Sequence, residues 1–225
     1  LFKSMINLIS PKKLSPGDKI TTVSLSWGGP GTFPWRYEAG VEQLKELLDV
    51  EVMTMPHTLA DPDWLHYNPQ ARAEDLMQAF ADPSISAIIS TIGGDDSIRL
   101  LPYIDLDTIR KNPKIFMGYS DTTVSHLACL KAGLRSFYGP SIMAGFAENC
   151  GMYDYTKQAV LQTLCDPQQS REITPSMTSW AYEQNDWATP DNQNRPRPTH
   201  QPLAQRFLQG NHTVQGRLIG GCIDV

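Results

Sequence analysis

The chain has 225 residues, 40% of them apolar, and a formal net charge of −5, which fits one large domain or a domain plus part of another and excludes a disordered chain. The acidic balance, with no basic cluster interleaved with aromatics, argues against a nucleic-acid surface; no run reaches the ~18 apolar residues of a membrane span. The first twenty residues lack the apolar core and small-residue cleavage site of a signal peptide, so a cytoplasmic location is expected. Cys129, Cys150, Cys165 and Cys222 are scattered without a CxxC pair and read as structural thiols rather than metal or disulfide partners.

Strands and helices alternate along the chain. KITTVSLS (19–26) is β-branched and apolar and stops at the glycine-rich turn WGGPG. RYEAGVEQLKELLDV carries Val41, Leu44, Leu47 and Leu48 at helical spacing. EVMTM is a short strand closed by Pro56, and TLADPDW after it reads as a loop. NPQARAEDLMQAFADP is a helix with Pro69 in its first turn and a buried stripe of Ala73, Leu76, Met77 and Phe80. SAIISTIGG is a buried strand running into Gly93 and Gly94; SIRLLPYIDLDTIRKNP is a short helix, a break at Pro102 and a second helical turn. KIFMGYSD is a strand, DTTVSHLACLKAG a helix that Gly133 ends in a left-handed cap, and YDYTKQAVLQTLCDP a further helix.

This order predicts an α/β fold: a parallel sheet flanked by helices, Rossmann- or flavodoxin-like, with its site at the carboxyl ends of the strands. WGGPG, TIGGDDS and GYSDTT then open toward one rim. In GYSDTT the strand ends at Gly118 and a helix begins just after Ser120, so the Ser120 side chain projects from the sheet beside the amides of the new helix. That is the mechanics of a nucleophile elbow, with the Asp121 amide where an oxyanion donor is wanted. The match is incomplete, since Thr122 stands where a second glycine is usual, and a helix cap by Ser120 or Asp121 explains the same residues. Gly93 and Gly94 let a carbonyl approach backbone amides closely, making the amides near Gly94 and Asp121 a candidate oxyanion pair. A tight turn capped by Asp95 or Asp96 is the alternative; a Mg²⁺ site on these two is disfavoured because adjacent residues rarely aim at one ion.

STIGGDDS, LLPYIDLDTIRKNPKIFMGYSDTT, FYGPSIMAGF and VQGRLIGGCIDV resemble the LD-carboxypeptidase family of serine peptidases, most closely its microcin C self-immunity branch. The resemblance implies a metal-free, cofactor-free Ser-Glu-His hydrolase acting on an amide next to a free carboxylate or on a peptidyl-nucleotide linkage. Ser120 inherits the nucleophile role, and the Gly94 and Asp121 backbones the oxyanion role. Substrate contacts fall on Gly93, Asp95, Trp180 and Trp187, the last matching an aromatic clamp in the substrate-covering loop; packing of the tryptophans against a second domain explains them equally well. The expected partner is a small peptide or peptidyl-nucleotide, with no nucleic acid polymer and no membrane; family members are commonly homodimers. The family's Glu and His lie in a C-terminal domain after a GGNL-like segment. Here that segment is GGCIDV, with Cys222 at the usual Asn position, and the chain ends.

The expected organisation is therefore 1–166 as nucleophile domain, 167–212 as a long covering or linking loop, and 213–225 as a strand opening a largely missing second domain. A chain without the base is expected to be nearly inactive, and an uncovered docking face to favour self-association. His126 points away from the nucleophile; His57 and His66 flank a loop within reach of the rim; His200 and His212 read as solvated. Two other classes stay open: a binding module that holds a peptide or nucleotide without cleaving it, and a phosphate-binding doubly wound domain. The latter lacks a GxGxxG or Walker pattern.

Overall fold

The computed structural model describes residues 8–167, 172–202, 208–210, 212–216 and 218–222. Five strands form one sheet: β1 (Lys19–Val23), β2 (Glu51–Thr54), β3 (Ile85–Ser90), β4 (Ile115–Gly118) and β5 (Phe137–Tyr138), in the order β2-β1-β3-β4-β5. All four pairings are parallel, the flavodoxin-like arrangement. The helices are α1 (Gly29–Thr32), α2 (Pro34–Leu48), α3 (Pro62–Tyr67), α4 (Pro69–Ala81), α5 (Leu106–Lys111), α6 (Thr123–Ala132) and α7 (Asp154–Leu164).

Side-chain alternation explains why both faces are covered. On β3, Ala87 and Ile89 belong to one apolar cluster and Ile88 to another; on β4, Ile115 and Met117 join the first and Phe116 the second. The first cluster gathers Leu44 and Leu48 of α2, Val160 and Leu164 of α7, and Ile142 and Phe146. The second gathers Leu76 and Phe80 of α4, Ile109 of α5 and Cys129 of α6. Among the described residues no helix is long and apolar enough to cross a membrane.

Several sequence-based boundaries shift. The first strand ends at Val23, and Ser24 and Ser26 leave it to bond across loops. WGGPG is not only a turn: Gly29–Thr32 form a single helical turn with a proline in its first positions. The loop expected around TLADPDW contains α3, begun by Asp61, whose carboxylate accepts from the Asp63 and Trp64 amides. Ser97–Tyr103 is a 3₁₀ segment with Pro102 inside its last turn rather than a helix broken there. Gly133 caps α6 at φ 86°, as its sequence position suggests. The strand expected over 213–225 is absent among the described residues of that stretch, and Leu218 and Ile219 stand exposed. Among the described residues no strand pairs with this stretch; Arg217 and 223–225 lie outside the described residues.

Candidate active site

The strand order reverses between β1 and β3, which opens a crevice beyond their carboxyl ends. Three loops meet there. The Trp27 amide donates to Gly93 O at 3.2 Å. Ser24 Oγ donates to Thr58 O at 2.7 Å and lies 2.8 Å from Thr91 Oγ1. Gly94 packs so closely on Ser26 and the Trp27 amide that a side chain at 94 has no room.

Ser120 occupies the turn after β4 with φ 59°, in the left-handed region that non-glycine residues seldom adopt. It is half-buried, and its side chain lies against the Gly93 backbone. A Cβ added at Gly93 would sit 2.8 Å from Ser120 Cβ, 3.0 Å from Oγ and 3.4 Å from the Asp121 amide nitrogen. The double glycine therefore leaves an open volume bounded by a hydroxyl and main-chain N–H groups. Among the described residues the Ser120 hydroxyl and the Gly94 and Asp121 amides have no hydrogen-bond partner. The Ser120 amide donates to the Tyr138 hydroxyl at 2.9 Å.

The turn is held from below. The buried Asp121 carboxylate accepts from the Ser97 amide at 2.8 Å, and Ser97 Oγ donates to Asp121 O at 2.7 Å, so the β3 and β4 loops are stapled together. Gly118 is required because a Cβ there would meet Ser90 Cβ at 2.8 Å and Thr122 Cγ2 at 2.7 Å. Thr122, in place of the second glycine, donates from Oγ1 to Ser90 Oγ at 3.1 Å.

His126 is buried behind the turn, with Nε2 2.9 Å from Gly118 O and Nδ1 2.8 Å from Ser136 Oγ. A carbonyl only accepts, so Nε2 carries the proton and Nδ1 accepts from Ser136. Burial lowers its pKa below the ordinary 6.5, outweighing the opposing bond to Gly118 O. A histidine that takes its proton more readily when unfolded removes stability as pH falls below about 6.5. Denaturant midpoints are expected to drop between pH 7.5 and 5.5 more steeply in the native protein than in His126→Gln; parallel slopes would contradict this.

Three of the other histidines are also engaged. His57 Nδ1 pairs with Asp75 at 2.9 Å and the ring stacks on Trp64 at 5.1 Å. His66 pairs with Asp96 at 3.0 Å. His200, expected to be solvated, is half-buried: Nε2 lies 2.7 Å from Glu183 Oε1 and the ring stacks on Tyr182 at 4.7 Å. His212 is exposed, as expected.

Arg72 was not singled out by sequence reasoning. From α4, fully buried, it donates to Leu25 O at 2.9 Å, to Ser26 O at 3.3 Å, and to both oxygens of Asp96 at 2.6 and 3.2 Å. One guanidinium thereby ties the β1 loop to the β3 loop. Asp96 is committed to it, whereas Asp95 is exposed on the same loop. The signal was present: Arg72 stands directly beside the buried stripe of a helix, where an unpaired arginine is costly.

Residues 20–139 match the family model described as the LD-carboxypeptidase N-terminal domain. The chain belongs to the LD-carboxypeptidase family. A Vibrio cholerae protein provisionally named a carboxypeptidase is 35% identical over 95% of this chain and 62% of its own length. The Escherichia coli microcin C7 self-immunity protein MccF is 36% identical over 67% of this chain and 43% of its own length. Its solved complex with aspartyl sulfamoyl adenosine superposes with a TM-score of 0.76 at 30% identity, covering 86% of this chain and 57% of that one. An MccF-like protein from Streptococcus pneumoniae, solved with AMP, gives 0.73 at 37% identity, covering 82% of this chain and 55% of that one. One solved form of MccF is an active-site mutant with a serine, an asparagine and a lysine each changed to alanine. The chain thus spans less than two thirds of the length of these relatives.

Beside the Ser120 turn lies a cavity of about 960 Å³, whose wall includes Tyr119, Tyr138, Trp180, Trp187, Arg36 and Arg197. Ser120 is not in the wall; Tyr138, whose hydroxyl takes the Ser120 N–H, joins the two spaces. The proline-rich segment 172–202 reaches this wall through polar contacts. Arg197 forms a two-pronged pair with the buried Glu148, which raises the arginine's pKa. Asn149 donates to Asn192 O at 2.6 Å and Arg195 O at 3.1 Å.

The two predicted aromatics differ. Trp187 packs on the core through Phe33 at 6.1 Å, and its ring is covered by the Arg36 guanidinium at 4.2 Å. Trp180 is more exposed and makes a paired backbone bridge with His200, at 3.0 and 2.7 Å.

Proposed function

We propose that the chain carries the nucleophile and oxyanion donors of a serine-type amide hydrolase acting on an aminoacyl- or peptidyl-nucleotide. The observation that carries this is the Ser120 side chain, held at positive φ against the Gly93 backbone beside the Asp121 amide.

On this mechanism Ser120 Oγ attacks the substrate carbonyl carbon and gives its proton to a base. The carbonyl oxygen becomes an oxyanion received by the Gly94 and Asp121 amides. The C–N bond breaks as the amine leaves protonated, and water then cleaves the acyl-serine to a free carboxylate. The Ser–Gly–amide arrangement is preassembled by Arg72 and the Asp121–Ser97 staple, so little reorganisation accompanies charge development. Supporting a nucleotide ligand are the aromatic cavity and the ligands named for the solved relatives.

No histidine or glutamate bonds the Ser120 hydroxyl among the described residues. In this reading residues 1–166 are the nucleophile domain, 167–212 a covering or linking loop, and 213–225 the start of the part of the family that supplies Glu and His. Free thiols at Cys129, Cys150, Cys165 and Cys222 suit a reducing, cytoplasmic setting.

The test is release of aspartate from aspartyl sulfamoyl adenosine by this chain, with and without imidazole as a substitute base. Slow release, accelerated by imidazole and lost in Ser120→Ala, is expected. Release that survives Ser120→Ala, or no release at any imidazole concentration, refutes the assignment.

A further inference from the structure

Charge inside the cavity is unbalanced. Glu148 is bound by Arg197 through both oxygens, so one carboxylate faces two guanidinium groups. Asp154, also in the wall, projects into solvent toward Lys157 at 3.8 Å. Arg36 is left with neutral partners. It is only 5% exposed and donates from Nε to Met143 O at 2.8 Å and from Nη1 to Asn149 Oδ1 and Gln193 Oε1, each at 2.9 Å. Trp187 covers its face. Among the described residues Nη2 has no acceptor, and it is not sealed from solvent.

We propose that Arg36 is the anion-recognition residue of this cavity, its Nη2 edge donating to a phosphate or carboxylate oxygen of the bound ligand. A buried cation whose nearby carboxylate is already bound by another arginine is costly, and the cost falls when an anion arrives. Burial already lowers the Arg36 pKa to about 10, against the pull of Glu148. The three bonds to Met143, Asn149 and Gln193 fix the guanidinium plane, so the free edge points in one direction before ligand binds. In this account Trp187 acts first as the plate that holds Arg36, and one of its faces is spent on that task. Arg36 also lay in view in the sequence: 36, 40, 44 and 48 recur at intervals of four on the buried row of α2.

This rests on taking the cavity as the ligand site of the proposed hydrolase, and its readout is binding rather than turnover. The probes are AMP against adenosine, and a peptide with a free C-terminal carboxylate against its amide, measured by titration calorimetry. Phosphate recognition predicts that AMP binds about 10- to 100-fold more tightly than adenosine. Arg36→Gln brings that ratio close to one and Arg36→Lys restores part of it. Carboxylate recognition predicts the same pattern for the peptide pair instead. Because these variants lose packing contacts, crystals with AMP and with the peptide provide a second measurement: an anionic oxygen within hydrogen-bond distance of Nη2 supports the assignment. Ratios near one for both pairs in the native protein, or anions seated elsewhere in both crystals, overturn it. Loss of hydrolysis with an intact ratio would count against Ser120 chemistry and leave Arg36 standing.

Discussion

Replacing Ser120 with glycine is expected to abolish hydrolysis and yet make the protein more stable. The left-handed backbone at φ 59° is strained for serine and free for glycine. Strain of this kind costs roughly 1–3 kcal/mol, offset in part by the greater freedom of glycine in the unfolded chain, so a net gain of about 1 kcal/mol is expected. No bond of the Ser120 hydroxyl is lost among the described residues. On the proposed mechanism the imidazole-assisted rate falls to the background of imidazole alone, a smaller drop than in an intact triad because triad losses are not additive and the base is already missing. Paired denaturation and turnover measurements check both halves. A destabilised Ser120→Gly would mean that serine makes a stabilising contact at this turn, and unchanged turnover would remove the residue from the chemistry.

Arg72→Met should be the most damaging single change to the framework. The shape of the side chain is roughly kept, but Leu25 O and Ser26 O lose their donor and Asp96 loses its two-pronged partner. Breaking one side of a buried ion pair typically costs about 3–5 kcal/mol, because the remaining charge is stranded. The measurement is the urea midpoint at constant slope. Adding Asp96→Asn removes the stranded charge, so the double variant should cost less than the two single changes together. A loss below about 1 kcal/mol for Arg72→Met would show that His66 and Arg99, which also touch Asp96, suffice. The rim geometry should loosen as well, since this arginine joins the loops that carry Trp27 and Gly94.

Periodicity carried much of the architecture. The alternation of Ala87, Ile88 and Ile89, and of Ile115, Phe116 and Met117, reads directly as strands buried on two sides. The Gly118–Ser120 turn was also legible as a strand end before a helix, but a helix cap explained the same residues, and the positive φ of Ser120 comes only from the structure. What stayed hidden depends on distant partners. β5 is two residues long, Phe137–Tyr138, and exists because β4 offers it an edge. α1 and α3 are short and rich in glycine or proline, so local propensity argues against them while Asp61 capping and tertiary packing favour them. Arg36 and Arg72 stand on the buried rows of their helices, but the groups they bind, Met143, Gln193 and Asp96, come to them only through the tertiary fold. The strand expected after 213 needed a neighbour that local sequence cannot supply.

The proline-rich segment is fastened to the cavity wall by Arg197, Asn149 and Gln193 through polar bonds, while the two apolar clusters draw on other parts of the chain, apart from Trp187 at the edge of one. Its tips are therefore nearly uncoupled from folding free energy. Substitutions there can alter which ligand is accepted while the sheet and the Ser120 turn keep their stability. Sequence divergence is accordingly expected to gather in that segment and to leave the sheet and the Ser120 turn unchanged.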